Sequence, residues 1–235
     1  GLYYRKISKK TGYDIYLIRK KIYSIKSIPL DSVINTIGAR LKVPIIDRFS
    51  LSAEGALQSG SFGDYGRRAF GGYYHLDYMS DFNFPGPSRI TLGGIYLSGD
   101  DPNTLKIEGW DPLFSRWPKW SEAYIYTLIP EYNGKVAYWS NIASIYAELK
   151  FNVSPKINMS ITYHHLTAPE VHKYYNPFLG AEGKNRGTLF ITRVNFPFSK
   201  KIIGHIHLEN FYPGNYYRPE SDNYYWFRVE LMYAY

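Results

Sequence analysis

Apolar and polar residues alternate with a period of two along most of the chain, the spacing of a half-buried β-strand rather than a helix. From Trp226 to Tyr235 the odd positions Phe227, Val229, Leu231, Tyr233 and Tyr235 are apolar or aromatic, and Arg228 and Glu230 take the opposite face. Ile145, Ala147, Leu149, Phe151 and Val153 likewise oppose Tyr146, Glu148, Lys150 and Asn152. Ile157, Met159, Ile161 and Tyr163 oppose Asn158, Ser160, Thr162 and His164. Ile202, Ile206, Leu208 and Tyr212 oppose His205, His207 and Glu209. Nearer the start, Ile37, Ala39, Leu41 and Val43 face away from Gly38, Arg40 and Lys42, and Phe49, Leu51, Ala53 and Leu57 from Arg48, Ser50, Ser52, Glu54 and Gln58.

The pattern predicts an all-β chain of about eleven antiparallel strands, centred on residues 1–8, 13–22, 35–43, 47–59, 67–79, 88–98, 141–153, 156–166, 187–196, 201–212 and 224–235. Segments of roughly 9–11 residues suffice for a tilted strand to cross a bilayer. Connections fall into two sets. Short turns, at Lys9 to Gly12, a bend at Pro44, Ser154 to Lys156 and Phe198 to Lys201, alternate with long stretches at Ser24 to Val33, Ala168 to Arg186 and Gly99 to Ser140. That asymmetry belongs to a transmembrane antiparallel β-barrel, whereas a soluble sandwich mixes long and short loops at both ends. The expected organisation is one barrel domain over 1–235 with a long extracellular loop at 99–140.

Composition changes the picture in the same direction. Aromatic residues make up 18% of the chain, including 25 Tyr, more than a soluble core of this size needs and suited to rings at water–lipid boundaries. A mean hydropathy of -0.34, without a long apolar run, excludes a membrane-spanning helix but not alternating strands. Cys is absent, so there is no disulfide framework and no thiolate metal site. The opening Gly1-Leu2-Tyr3-Tyr4-Arg5-Lys6 lacks the features of a secretory signal, from which a processed or incomplete beginning is expected.

The segment after the sixth strand carries Ser98-Gly99-Asp100-Asp101-Pro102, Asp111-Pro112-Leu113-Phe114, Pro118-Lys119-Trp120-Ser121-Glu122, Tyr124-Ile125-Tyr126 and Tyr138-Trp139-Ser140-Asn141. Together with Glu54 and Gln58 before Gly60, the Pro213-Gly214-Asn215-Tyr216-Tyr217 loop and the ending on Tyr235, these motifs resemble the alginate-export family of outer-membrane β-barrel porins. The resemblance runs from about Ile34 to the end. It implies a barrel of about eighteen strands with a narrow, electropositive lumen that passes an anionic polysaccharide, of which these would be the last eleven or so. Strand parity agrees: a closed bacterial barrel has an even count with both termini periplasmic, so an odd number of earlier strands is expected beyond this chain. One departure concerns gating. The turn at Phe198 to Lys201 is too brief to plug a lumen from the periplasmic side.

With apolar faces toward lipid, the pore lining expected is Arg40, Lys42, Arg48, Glu54, Arg89, Glu148, Lys150, Arg193, His205, His207, Glu209, Arg228 and Glu230, with Asp77 beside them. Guanidinium groups bind carboxylates bidentately and favour anion passage, but interior Arg and Glu also pair across strands and neutralise one another. The net charge of +8 is spread over many strands rather than clustered, which argues against a nucleic-acid surface. His205, His207 and Glu209 share a face at metal-ligand spacing, but no second half of such a motif follows, so no metal or other cofactor is expected. Asp100 and Asp101, with Glu108 and Asp111, serve an outer loop better as turn caps than as a calcium site. Trp110, Trp117 and Trp120 belong to the same loop. No Ser–His pair is positioned for hydrolysis, and the glycine pairs Gly71-Gly72 and Gly93-Gly94 lack the helix and Lys of a phosphate loop, so a non-enzymatic channel is expected.

The expected partners are membrane lipid and lipopolysaccharide, an anionic sugar or small acidic solute, and the barrel-assembly machinery through Leu231, Tyr233 and Tyr235. A barrel that docks a second protein chain through the long loop is the competing reading.

Overall fold

The computed structural model describes the chain apart from residues 9–10, 25–29, 81–87, 115–119, 123–129, 132–134, 137–139, 172–182, 200 and 234–235. Thirteen strands are present in chain order: β1 (Leu2–Ser8), β2 (Thr11–Ile22), β3 (Ser32–Ile46), β4 (Phe49–Phe62), β5 (Tyr65–Ser80), β6 (Ser88–Leu97), β7 (Pro130–Glu131), β8 (Lys135–Val136), β9 (Ile142–Ser154), β10 (Ile157–Thr167), β11 (Asn185–Pro197), β12 (Ile202–Pro213) and β13 (Tyr224–Tyr233). β7 and β8 form a small separate hairpin; the other strands make one 11-stranded sheet in which chain neighbours pair throughout, β9 following β6. Every pairing is antiparallel, so the sheet is a meander of the strands that the alternation marked out. The sheet is open. β1 and β13 are its two ends and do not pair with each other among the described residues, so a closed barrel is not what this chain forms by itself.

The two faces are inverted relative to a water-soluble protein. Large apolar side chains on one face lie bare to solvent, among them Leu57 (60% exposed), Ile145 (64%) and Phe227 (62%). Polar side chains on the other face are buried, among them Asp14, Thr36, Gln58, Thr91, Thr162, His164 and His205. An apolar cluster does exist on this second face, close to the end that carries the long connections. Ile95, Leu97, Ile142, Leu166, Leu189, Ile191 and Phe211 pack there under Tyr216, Tyr217 and Trp110.

Two details depart from the sequence reading. Pro44 lies inside β3 and marks a register shift between Pro44 and Ile46, while the chain reverses later, at Asp47 and Arg48. Arg48 occupies that turn with φ of 70°, exposed, and so does not stand on the wall where strand parity put it. Pro tolerates a bulge because it has no N–H to donate to the ladder.

Aromatic rings lie over glycines on the polar face. A Cβ at Gly38 would sit 2.2 Å from the Tyr16 ring, and one at Gly93 2.4 Å from the ring of Tyr146. The ring supplies the contacts that the missing side chain would make, and its hydroxyl end is held as well: Tyr16 Oη donates to Glu54 at 2.9 Å.

Candidate functional site on the polar face

The connection after β6, expected to stand outside the barrel, folds back over the polar face in its described part. Its neck is tied by short local bonds. Ser98 Oγ donates to the Glu108 carbonyl at 2.6 Å, and Asp100 Oδ1 accepts from Glu108 N at 2.7 Å. Asp101 Oδ1 accepts from Asn103 N at 2.8 Å, so both carboxylates act as loop caps. Ile107 then bridges β5, where Arg68 N donates to its carbonyl at 3.0 Å and its own N donates to Gly66 O at 2.9 Å. Trp110 lies over Gly71, where a Cβ would meet the indole at 2.7 Å.

From there the loop is clamped at both ends of its path. Gln58, only 2% exposed, grips the backbone of Asp111 with its whole amide: Nε2 donates to Asp111 O at 2.7 Å and Oε1 accepts from Asp111 N at 2.9 Å. Lys20 on β2 donates to Asp111 Oδ1 at 2.9 Å and to Leu113 O at 2.8 Å. At the far side the carboxylate of Glu209 on β12, 0% exposed, accepts from Ser121 Oγ, from Glu122 N at 2.6 Å and from His207 Nε2 at 2.6 Å. Arg228 on β13 closes the clamp with a 2.7 Å bond to Glu122 Oε1. The loop therefore crosses the face from β2 to β13. Glu209 and His207 lie beneath it as anchors, rather than lining open space.

The remaining charges form three groups set by strand register. Asp14, 4% exposed, lies between Arg5 and Arg40, its direct neighbours in register; Arg5 Nε reaches Oδ1 at 2.9 Å and Arg40 Nε reaches Oδ2 at 2.6 Å. Arg89 bonds Glu148 at 2.7 Å and stands 3.9 Å from Asp77, which also takes a 2.6 Å bond from Thr91 Oγ1 and has His75 Nε2 at 3.6 Å. In the third group His205 lies between two guanidinium groups, with Arg193 Nη2 3.3 Å from Nδ1 and Arg228 Nη2 3.0 Å from Nε2. Arg228 also stands 3.4 Å from Glu230. Facing charges on adjacent strands thus neutralise much of the wall. Lys42 and Lys150 make no ion pair among the described residues, and Arg5 and Arg40 share a single carboxylate.

Of the loop tryptophans, Trp110 and Trp120 face the wall, Trp120 edge-on to Tyr73 with centroids 5.9 Å apart, and Trp117 lies outside the described residues. Sequence reading did not select Asp14, Lys20, Tyr16 or Ser121. Parity puts the first three on the polar side of β2, but the partner of each is a strand or a loop away, and no local pattern points to it.

The arrangement defines a charged, hydrogen-bonded wall narrowed by its own loop, on a sheet whose other face is apolar. No family model matches the sequence, and no curated protein matches it. Among solved structures the chain is similar to the NanC porin at a TM-score of 0.42 and 8% sequence identity, over 99% of this chain and 97% of that one.

Proposed function

We propose that the chain forms part of the wall of a bacterial outer-membrane β-barrel channel, as the resemblance to the alginate-export family implies, and that it passes an anionic polysaccharide or smaller acidic solute. The observation that carries this reading is the inversion of the two faces. A soluble sheet does not leave Leu57, Ile145 and Phe227 bare while burying Asp14, Gln58 and His205; acyl chains on one side and a water-filled, side-chain-lined interior on the other account for both. The open edges of β1 and β13 need partners in a bilayer, because unpaired backbone is not tolerated in hydrocarbon, and further strands would supply them up to the count of about eighteen. Leu231 and Tyr233 stand exposed on the apolar face, in keeping with contact to lipid, to lipopolysaccharide and to the assembly machinery; Tyr235 lies outside the described residues.

Acidic solutes fit the unshared cations, Lys42, Lys150 and the second guanidinium of the Arg5–Asp14–Arg40 group, which attract anions without binding them tightly. Ser144 Oγ does meet His164 Nδ1 at 3.1 Å, but both side chains are buried. At the loop Glu209 stands between Ser121 and His207, so a hydrolytic reading is not favoured. The docking alternative has less in its favour, since the described part of the long loop is spent on the polar face.

Conductance of the full-length protein in planar bilayers tests the proposal. Discrete current steps are expected, with a reversal potential under a KCl gradient that favours chloride. A protein that inserts without conducting would refute it.

A further inference from the structure

We infer that the cavity under Trp120 is a binding niche for a single sugar ring, recognised through its hydroxyls and its C–H face rather than through an acid group. This rests on the channel reading of the same face. The cavity, of about 250 Å³, lies between the infolded loop and strands β5, β6, β9 and β10. Aromatic rings border it from opposite sides, with Tyr73 edge-on to Trp120. Trp120 comes from the loop, and Tyr146, which covers Gly93 and stacks on His164 with centroids 5.0 Å apart, comes from the wall. A pyranose presents an apolar face to such rings and hydroxyls around its rim, so the polar groups at the rim decide what fits.

Those groups are Asp77, Glu148 and Arg89. Each carboxylate keeps acceptor capacity. Asp77 Oδ1 takes the Thr91 hydroxyl, and Oδ2 has His75 Nε2 at 3.6 Å, longer than a hydrogen bond. Glu148 Oε1 takes Arg89, and Oε2 meets Thr162 Oγ1 at only 3.4 Å. Arg89 bonds Glu148 through Nη2 and its side chain is 38% exposed, which leaves guanidinium N–H groups to an incoming oxygen, while Nε itself is buried. Two carboxylates against one guanidinium repel a solute carboxylate at this spot, whereas hydroxyls bond to all three groups. The acid groups of an anionic sugar polymer would then lie toward Arg40 and Lys42, with its rings passing the niche.

Isothermal titration in a sugar-free zwitterionic detergent separates the niche from the channel. Maltotriose and a uronic-acid trisaccharide are expected to bind with affinities within about threefold of each other, and triethylene glycol not at all. Asp77→Asn and Trp120→Ala are each expected to weaken both sugars about tenfold, the scale of one lost charge-assisted bond or ring contact. Binding of the acidic sugar alone, binding unchanged in both variants, or no binding of either sugar would each overturn the niche. Because the titration reads no current, a wild type that conducts but binds neither sugar refutes the niche alone, and one that does not conduct refutes the channel.

Discussion

Replacing Glu209 by Ala should release the infolded loop from the β12 and β13 side. The carboxylate accepts three bonds, from Ser121 Oγ, from Glu122 N at 2.6 Å and from His207 Nε2 at 2.6 Å, and is fully buried. Hydrogen bonds to a charged group contribute roughly 1.5–3 kcal/mol each, but Ser121 and Glu122 regain water once the loop lifts, so the net loss in local closing is about 3 kcal/mol. That is about 150-fold in the opening equilibrium at 1.36 kcal/mol per factor of ten. β12 itself should stay in place, because its backbone ladders to β11 and β13 do not involve the side chain. Hydrogen exchange followed at the Glu122 amide reads the effect directly: faster by about two orders of magnitude in Glu209→Ala, with less change in Glu209→Gln, which keeps one acceptor. Exchange in β9 and β10 serves as the internal reference. A Glu122 rate in Glu209→Ala within threefold of wild type would mean that the Gln58–Asp111 and Arg228–Glu122 contacts hold the loop unaided.

Three further outcomes follow from the same geometry. Gly38→Ala forces the Tyr16 ring off the wall and breaks its bond to Glu54, costing about 1–3 kcal/mol; an unchanged unfolding midpoint in micelles would contradict the packing described. Ile161→Arg places a charge on the apolar face and should cost about 2–4 kcal/mol in folding into vesicles, while Ser160→Arg on the polar face should cost less than about 1 kcal/mol; equal costs would remove the membrane assignment. Arg40→Ala leaves Asp14 with Arg5 alone, so the anion-to-cation permeability ratio should fall about twofold, and a constant reversal potential would place Arg40 outside the ion path.

The strands and their faces were written in the sequence because a period of two needs only nearest neighbours: Phe227 against Arg228, or Ile161 against Thr162, sort themselves wherever the strand ends up. Turn detail was less accessible. Arg48 continued the alternation on paper, yet two residues were needed to reverse the chain, and their backbone conformation, not their polarity, decided the place. The loop across the polar face was beyond any local pattern. Glu209 meets Ser121 and Glu122 at separations of 88 and 87 residues, and Gln58 meets Asp111 at 53. Alternation predicts that Glu209 faces the polar side, but only the folded chain decides whether water, a solute or its own loop stands opposite. The reason is energetic: a buried carboxylate must find donors, and those donors came from a segment whose own sequence carries caps and aromatic rings but no strand alternation.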